Sequence, residues 1–149
     1  MPSTVVEIQT LSGTSLAVGS AGPRTVTIDR TKEAGGRGLG FNGGELLLLA
    51  IGGCFSNDVF REAARCGIEV HRVQVRVEAE WGGDPVRAQN VLFLTTVEAD
   101  ATEEQIKELI QRTDRVAEIP NSLRLGTEVK LAGATAISVS GKTAAPGIG

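Results

Sequence analysis

At 149 residues and 15.5 kDa the chain holds enough sequence for one ordinary domain and too little for two well-cored ones. Hydrophobic residues at 41% and charged residues at 22% describe a globular protein, not a disordered one. Fifteen Lys and Arg against 18 Asp and Glu leave a net charge of −3 and no cationic excess for a phosphate backbone, and four Phe, one Trp and no Tyr supply few stacking platforms, so nucleic acid is not an expected partner.

The longest unbroken apolar run, Leu46 to Ile51, is far below the roughly 20 residues that span a bilayer. No membrane association is expected. The N-terminus has no basic region and meets Glu7 before any long apolar stretch, and the two cysteines fit a reducing compartment, so a cytoplasmic location is expected. A domain over residues 1–140, followed by a flexible tail over 141–149, is the simplest organisation.

In chain order, Thr4 to Gln9, Ser15 to Val18 and Arg24 to Asp29 read as short strands separated by turn residues, and a three-stranded meander joins them most simply. Ala34 to Gly44, AGGRGLGFNGG, carries six glycines and reads as a loop. Glu45 then opens a helix to about Gly67, apolar on all sides over LLLLAI and amphipathic beyond, which predicts a buried first half. Beyond Gly67 the period changes to two: Val73, Val75, Val77, Ala79 and Trp81 alternate with Arg72, Gln74, Arg76, Glu78 and Glu80. WGGDPV turns the chain and Val86 to Ala99 returns as the second strand of a hairpin. The capping box T-E-E-Q at Thr102 starts a second helix through Ile106, Leu109, Ile110 and Val116, which ends before Pro120. Thr127 to Leu131 and Ala136 to Val139 read as late strands. The order strands, helix, hairpin, helix, strand is α+β, not the alternation of a dinucleotide-binding domain.

Gly38-Leu39-Gly40-Phe41-Asn42-Gly43 formally matches G-x-G-x-x-G, but no strand runs directly into it and the acidic residues downstream, Asp58 and Glu62, fall inside the helix. A loop is the better reading. On a regular helix Cys54 and Cys66 are separated by about 18 Å of rise and about 120° of rotation, so they cannot bridge within one chain. Cys54 shares a stripe with Asp58, Arg61 and Arg65, whereas Cys66 falls with Phe55, Val59 and Ala63 and reads as a small buried hydrophobe. Two readings of Cys54 stand: a reactive thiol among charged groups, with Arg61 favouring the thiolate and Asp58 opposing it, or a small packing residue after Gly52-Gly53 where another helix approaches. His71, the only histidine, shares the parity of Val73 and reads as a satisfied or half-buried structural side chain; with two distant cysteines it forms no metal-ligand spacing, so no metal and no other cofactor is expected. Glu103, Glu104, Lys107, Glu108 and Arg112 read as a solvated helix face.

ELLLLAIGGCFSNDV, residues 45 to 59, resembles the OsmC/Ohr family of osmotically induced and organic-hydroperoxide-resistance proteins. The order VTIDR, glycine-rich loop, cysteine helix, VQVRVEAEW strand, second helix and proline-led turn extends the resemblance over about residues 24 to 131. It implies an intertwined homodimer in which sheets enclose a central cysteine-bearing helix. It also implies chemistry in which a reactive cysteine attacks an organic hydroperoxide, becomes a sulfenic acid and is resolved by a second cysteine. Cys54 matches the reactive cysteine. The position of the second cysteine holds Ile119, and the position of the glutamate, ten residues before Cys54, holds Gly44. Arg24, Arg30 and Arg37 lie in or beside loops, and none aligns with the arginine of the family site.

The sequence thus carries two expectations of different class. One is a thiol-dependent peroxidase in oxidative-stress defence, acting on small organic hydroperoxides through Cys54 with an external reductant. The other is a non-catalytic binding or structural protein of the same fold, with a pocket for an apolar ligand at the dimer interface.

Overall fold

A computed structural model describes residues 1–140, and the tail expected over 141–149 lies outside them. The element order is β1 (Glu7–Thr10), β2 (Ala17–Ala21), β3 (Arg24–Ile28), α1 (Gly43–Cys66), β4 (Glu69–Gly82), β5 (Arg87–Asp100), α2 (Glu103–Val116) and α3 (Glu118–Arg124). The α+β class holds, and the predicted order holds through the second helix. β1, β2 and β3 form the expected antiparallel meander, with Glu7 opposite Ser20 and Ala17 opposite Ile28. β4 and β5 form a separate long hairpin, with Val75 opposite Thr95 and Val77 opposite Phe93.

The glycine-rich loop is an ordered turn folded back on β3. Phe41 donates its N–H to Thr27 O at 3.1 Å and accepts from Asp29 N at 3.0 Å, a parallel bridge that returns the chain to the sheet before α1 begins. Gly40 lies against the Thr27 carbonyl so closely that a Cβ would overlap it, which requires glycine there. Inside the turn, Asp29 accepts from the backbone N–H groups of Arg30 at 2.8 Å, Arg37 at 3.0 Å and Leu39 at 3.2 Å and from the Ser15 hydroxyl at 3.1 Å. Burial pushes the Asp29 carboxyl up, but the hydrogen bonds from Leu39, Arg37, Arg30 and Ser15 outweigh it and hold the group below its ordinary value.

α1 starts two residues earlier than predicted. Asn42 is the N-cap, its side chain accepting from Glu45 N at 2.9 Å, while the Glu45 carboxylate accepts from Asn42 N at 3.0 Å. Glu45 is thus the far partner of a capping box and not the first helical residue. Gly67, with φ of 69°, closes the other end in the left-handed conformation. The core lies on the second half of α1: Phe55, Val59 and Ala63 are buried with Leu109 of α2 and Ala117, and Val73, Val75, Phe93 and Val97 of the hairpin pack against them. Phe55 and Phe93 meet as tilted rings with centroids 5.0 Å apart.

Four expectations are corrected. The first half of α1 is only partly buried in the single chain: Ile51 is buried, but Leu46 to Leu48 are half-exposed and Leu49 is 52% exposed, because no element among the described residues covers that side. Thr127 to Leu131 and Ala136 to Val139 form no strand, since no edge among the described residues pairs with them; they leave Val129, Leu131, Ile137 and Val139 exposed. The second helix ends before Pro120 as predicted, but the proline-led turn is itself helical: Pro120 sits in the first turn of the short helix α3, where its missing N–H costs no helical bond. Cys66, predicted to be buried, is exposed at the last residue of α1.

Candidate functional site

The charged stripe of α1 is built as the helical spacing demands, since residues three and four apart are neighbours on one face. Cys54 is partly exposed, and its Sγ donates to Asp58 Oδ2 at 3.7 Å. Asp58 Oδ1 is paired with Arg61 Nη1 at 3.0 Å; Arg61 Nε donates to Glu62 Oε1 at 3.3 Å and its Nη1 lies 3.7 Å from Glu118 Oε1 on α3. Arg65 Nη1 binds the same Glu62 oxygen at 3.0 Å. Asp58 and Glu62 are buried, at 6% and 2% exposure. Two carboxylates out of water are tolerable only when paired, and the two arginines supply that pairing. The Glu62 hydrogen bond pushes the Arg61 guanidinium further up from its already high value, against the effect of burial and with the help of the Asp58, Glu62 and Glu118 charges.

The structure therefore brings together Cys54, Asp58, Arg61 and Arg65 as the sequence places them, and adds Glu62 and Glu118. In the sequence Glu62 stands out only as an acidic residue within the helix; its three- and one-residue spacing to Arg65 and Arg61 is the available signal. Ile119, at the position where the resemblance implies a second cysteine, directly follows Glu118 and is 37% exposed. Gly44, at the position of the implied glutamate, lies under the Trp81 ring, where an added Cβ would come within 2.8 Å of Cζ2. A side chain at 44 would have to displace that ring, and Glu45 is committed to the cap.

The packing alternative for Cys54 meets a different neighbour from the one expected. The close approach on this helix is at Gly52, where a Cβ would stand 3.2 Å from Val77 of the strand β4, while Gly53 faces nothing within 4 Å. A cleft of about 480 Å³ opens between α1 and β4, lined among others by Phe41, Leu48, Leu49, Val73, Val75 and Val77. Cys54 does not line it.

Cys66 has a separate environment. Arg112 of α2 donates from Nη1 to its Sγ at 2.7 Å and lies 3.9 Å from Glu108 Oε1, so Arg112 is not simply solvated as predicted. His71 is satisfied, as read, but on the solvent side: the register shift between Val70 and Arg72 makes it the extra residue of a bulge, and Nε2 pairs with Asp100 Oδ2 at 3.0 Å. The Asp100 hydrogen bond, with the Asp100, Glu69 and Glu98 charges, pushes the imidazole up from its ordinary value against its burial. Glu69, His71 and Asp100 offer donor atoms within 4.8 Å of one another, all exposed. This group of metal-ligating side chains was missed because Asp100 lies on the other strand; the direct His71–Asp100 ion pair accounts for it as it stands.

The sequence matches the family described as OsmC-like protein over residues 35–132. The chain belongs to the OsmC-like protein family. Among curated proteins none matches it. Its fold is similar to that of an OsmC-like protein of Mycoplasma pneumoniae, with a TM-score of 0.72 at 16% identity over 83% of this chain and 88% of the other. An organic hydroperoxide resistance protein OsmC of Legionella pneumophila gives a TM-score of 0.58 at 16% identity, over 83% of this chain and 90% of the other. One of Elizabethkingia anophelis gives 0.57 at 17% identity, over 83% and 89%. The OsmC-like fold thus accommodates this sequence with Gly44 and Ile119 in place. No helix among the described residues is long and apolar enough to cross a membrane.

Proposed function

We propose that this OsmC-like chain serves in oxidative-stress defence by reducing small organic hydroperoxides at Cys54, with an external thiol as reductant. The observation that carries the reading is the surroundings of Cys54: a partly exposed thiol on a charged helical stripe, in contact with a buried carboxylate. Reactive thiols sit in partly exposed, electropositive surroundings, whereas structural cysteines are buried in apolar ones; Cys54 is partly exposed, and Arg61 reaches it through Asp58. Membership of the OsmC-like family, and structural neighbours that are organic hydroperoxide resistance proteins, support the stress-related role. With Ile119 where a second cysteine would stand, the sulfenic acid is reduced from outside. One external thiol condenses with it to a mixed disulfide and water, and a second releases Cys54 as thiol and leaves as the disulfide.

The working form in this reading is a homodimer. Leu49 and Phe60 on α1, Leu92 and Leu94 on β5, and the extended segment carrying Val129, Leu131, Ile137 and Val139 are all exposed in the single chain. A second copy packed on these elements would cover those apolar side chains. Light scattering after size exclusion is expected to give twice 15.5 kDa; a monomer at every concentration contradicts the dimer.

A second reading has its own observation, the apolar cleft between α1 and β4 that Cys54 does not enter. In that reading the chain binds an apolar ligand and Cys54 is inert. The two separate on one experiment: stopped-flow oxidation of Cys54 by cumene hydroperoxide and by hydrogen peroxide, read by sulfenic-acid trapping. Fast oxidation that prefers the organic peroxide supports the peroxidase; oxidation no faster than free cysteine, together with saturable binding of an apolar fluorophore, supports the binding protein.

A further inference from the structure

We infer that Asp58 is the proton acceptor for the Cys54 thiol and that Arg61 positions it, a role that rests on the reading of Cys54 as the peroxide-reducing thiol. The two carboxylate oxygens of Asp58 are divided between two partners: Oδ1 holds Arg61 Nη1 at 3.0 Å and Oδ2 faces Cys54 Sγ at 3.7 Å. One oxygen is thereby fixed and the other is aimed at sulfur. With Asp58 at 6% exposure, water competes little for that second oxygen. Arg61 is itself held by Glu62 and Glu118, and Glu62 by Arg65, so the charged groups facing the site are Asp58, Arg61, Glu62 and Arg65 from α1 and Glu118 from α3. The residues that would otherwise bring a carboxylate to the thiol do not: position 44 is glycine under Trp81, and Glu45 caps its own helix.

A carboxylate with one oxygen fixed by a cation and the other facing sulfur is placed to take the thiol proton during attack, the work of a general base. As Sγ bonds to the distal peroxide oxygen, the thiol proton passes to Asp58 Oδ2. The O–O bond breaks, sulfur is oxidised by two electrons and the peroxide is reduced. The distal oxygen keeps its hydrogen and remains on sulfur as the sulfenic acid, while the departing alkoxide takes the proton from Asp58 and leaves as the alcohol. Asp58 touches the reacting atom and is catalytic in this scheme; Arg61 acts through it.

The test uses the full chain with Cys66→Ser as background and two reactions of Cys54, oxidation by cumene hydroperoxide and alkylation by iodoacetamide. Asp58→Asn is expected to slow both by about 10²-fold, with Asp58→Glu recovering part of the loss. Arg61→Gln is expected to lose about tenfold and Arg61→Lys to restore most of it, which a purely structural arginine would not show. The unsubstituted site needs no variant to report: a proton in flight predicts a normal solvent deuterium isotope effect of about 2 or more on oxidation, whereas a preformed thiolate predicts none or an inverse one. Asp58→Asn rates within about twofold of the parent, or an inverse isotope effect, overturn the role of Asp58. Fast oxidation that ignores Asp58 leaves the peroxidase reading standing and removes this inference. Slow oxidation with alkylation that still depends on Asp58 does the reverse.

Discussion

Cys54 and Cys66 are the same side chain on the same helix, three turns apart, and the structure gives them opposite surroundings. Cys54 is partly covered and contacts a buried carboxylate fixed by an arginine; Cys66 is exposed at the helix end and receives a guanidinium directly. Helical angle alone predicts the reverse exposure, since it puts Cys66 with Phe55 and Val59. Direction along a helix is fixed by residue number, but what lies in that direction depends on where the neighbouring elements end. At Phe55 and Val59 the hairpin and α2 stand opposite; at Cys66 the chain is already turning through Gly67.

The largest effect that would break this comparison is loss of the core behind Cys54. Phe55→Ala removes a fully buried ring that meets Phe93 and is expected to cost about 3–5 kcal/mol in denaturant unfolding. A loss below about 1 kcal/mol would mean that α1 is not seated on the hairpin as described. Next in size is the labelling contrast: the rate with a bulky maleimide relative to that with a small thiol reagent, a ratio that cancels intrinsic reactivity, is expected to be about tenfold lower at Cys54 than at Cys66 in the native chain and equal in denaturant. A ratio as high at Cys54 as at Cys66 would contradict the exposures.

A smaller effect tests whether the loop end of α1 is independent of the thiol end. Asp29→Asn is expected to lower the melting temperature by several degrees while leaving the native labelling contrast intact. Because the Asp29 carboxyl is held below its ordinary value, its contribution is complete above the unfolded-state value near about 4 and is lost as pH falls through the folded value. The variant therefore flattens the acid side of the stability profile, and an unchanged acid limb contradicts the anchoring role. The smallest effect belongs to His71. Its folded value is raised, so its contribution is complete below about 6.5 and disappears as pH rises through the folded value; Asp100→Asn should remove that modest slope near neutrality. A slope that survives in the variant places its origin elsewhere.

Much of this was legible in the sequence because it is local. The period-two run from Val73, the T-E-E-Q box at Thr102 and the four-residue spacing of Cys54 and Asp58 each fix geometry within one element. The helix starts two residues before Glu45, because N-G-G-E is itself a capping box with Asn42 at its head and an acidic residue at its third position does not mark the first turn by itself. Asp29 was missed because its partners lie up to ten residues away in a loop whose closure no period announces. Exposed His71 follows from a bulge, which shifts parity by one and is invisible to alternation. The late segments at 127–131 and 136–139 have strand composition, but a strand needs an edge to pair with, and composition does not say which chain provides it.

The central claim is that Cys54 is a peroxide-reducing thiol. Its most direct test is the second-order rate of sulfenic-acid formation with cumene hydroperoxide, by trapping and intact mass, in the parent chain and in Cys54→Ser and Cys66→Ser. The account predicts oxidation at least about 10²-fold faster than free cysteine, abolished in Cys54→Ser and retained in Cys66→Ser. Oxidation at the rate of a free thiol, or oxidation that follows Cys66, contradicts it.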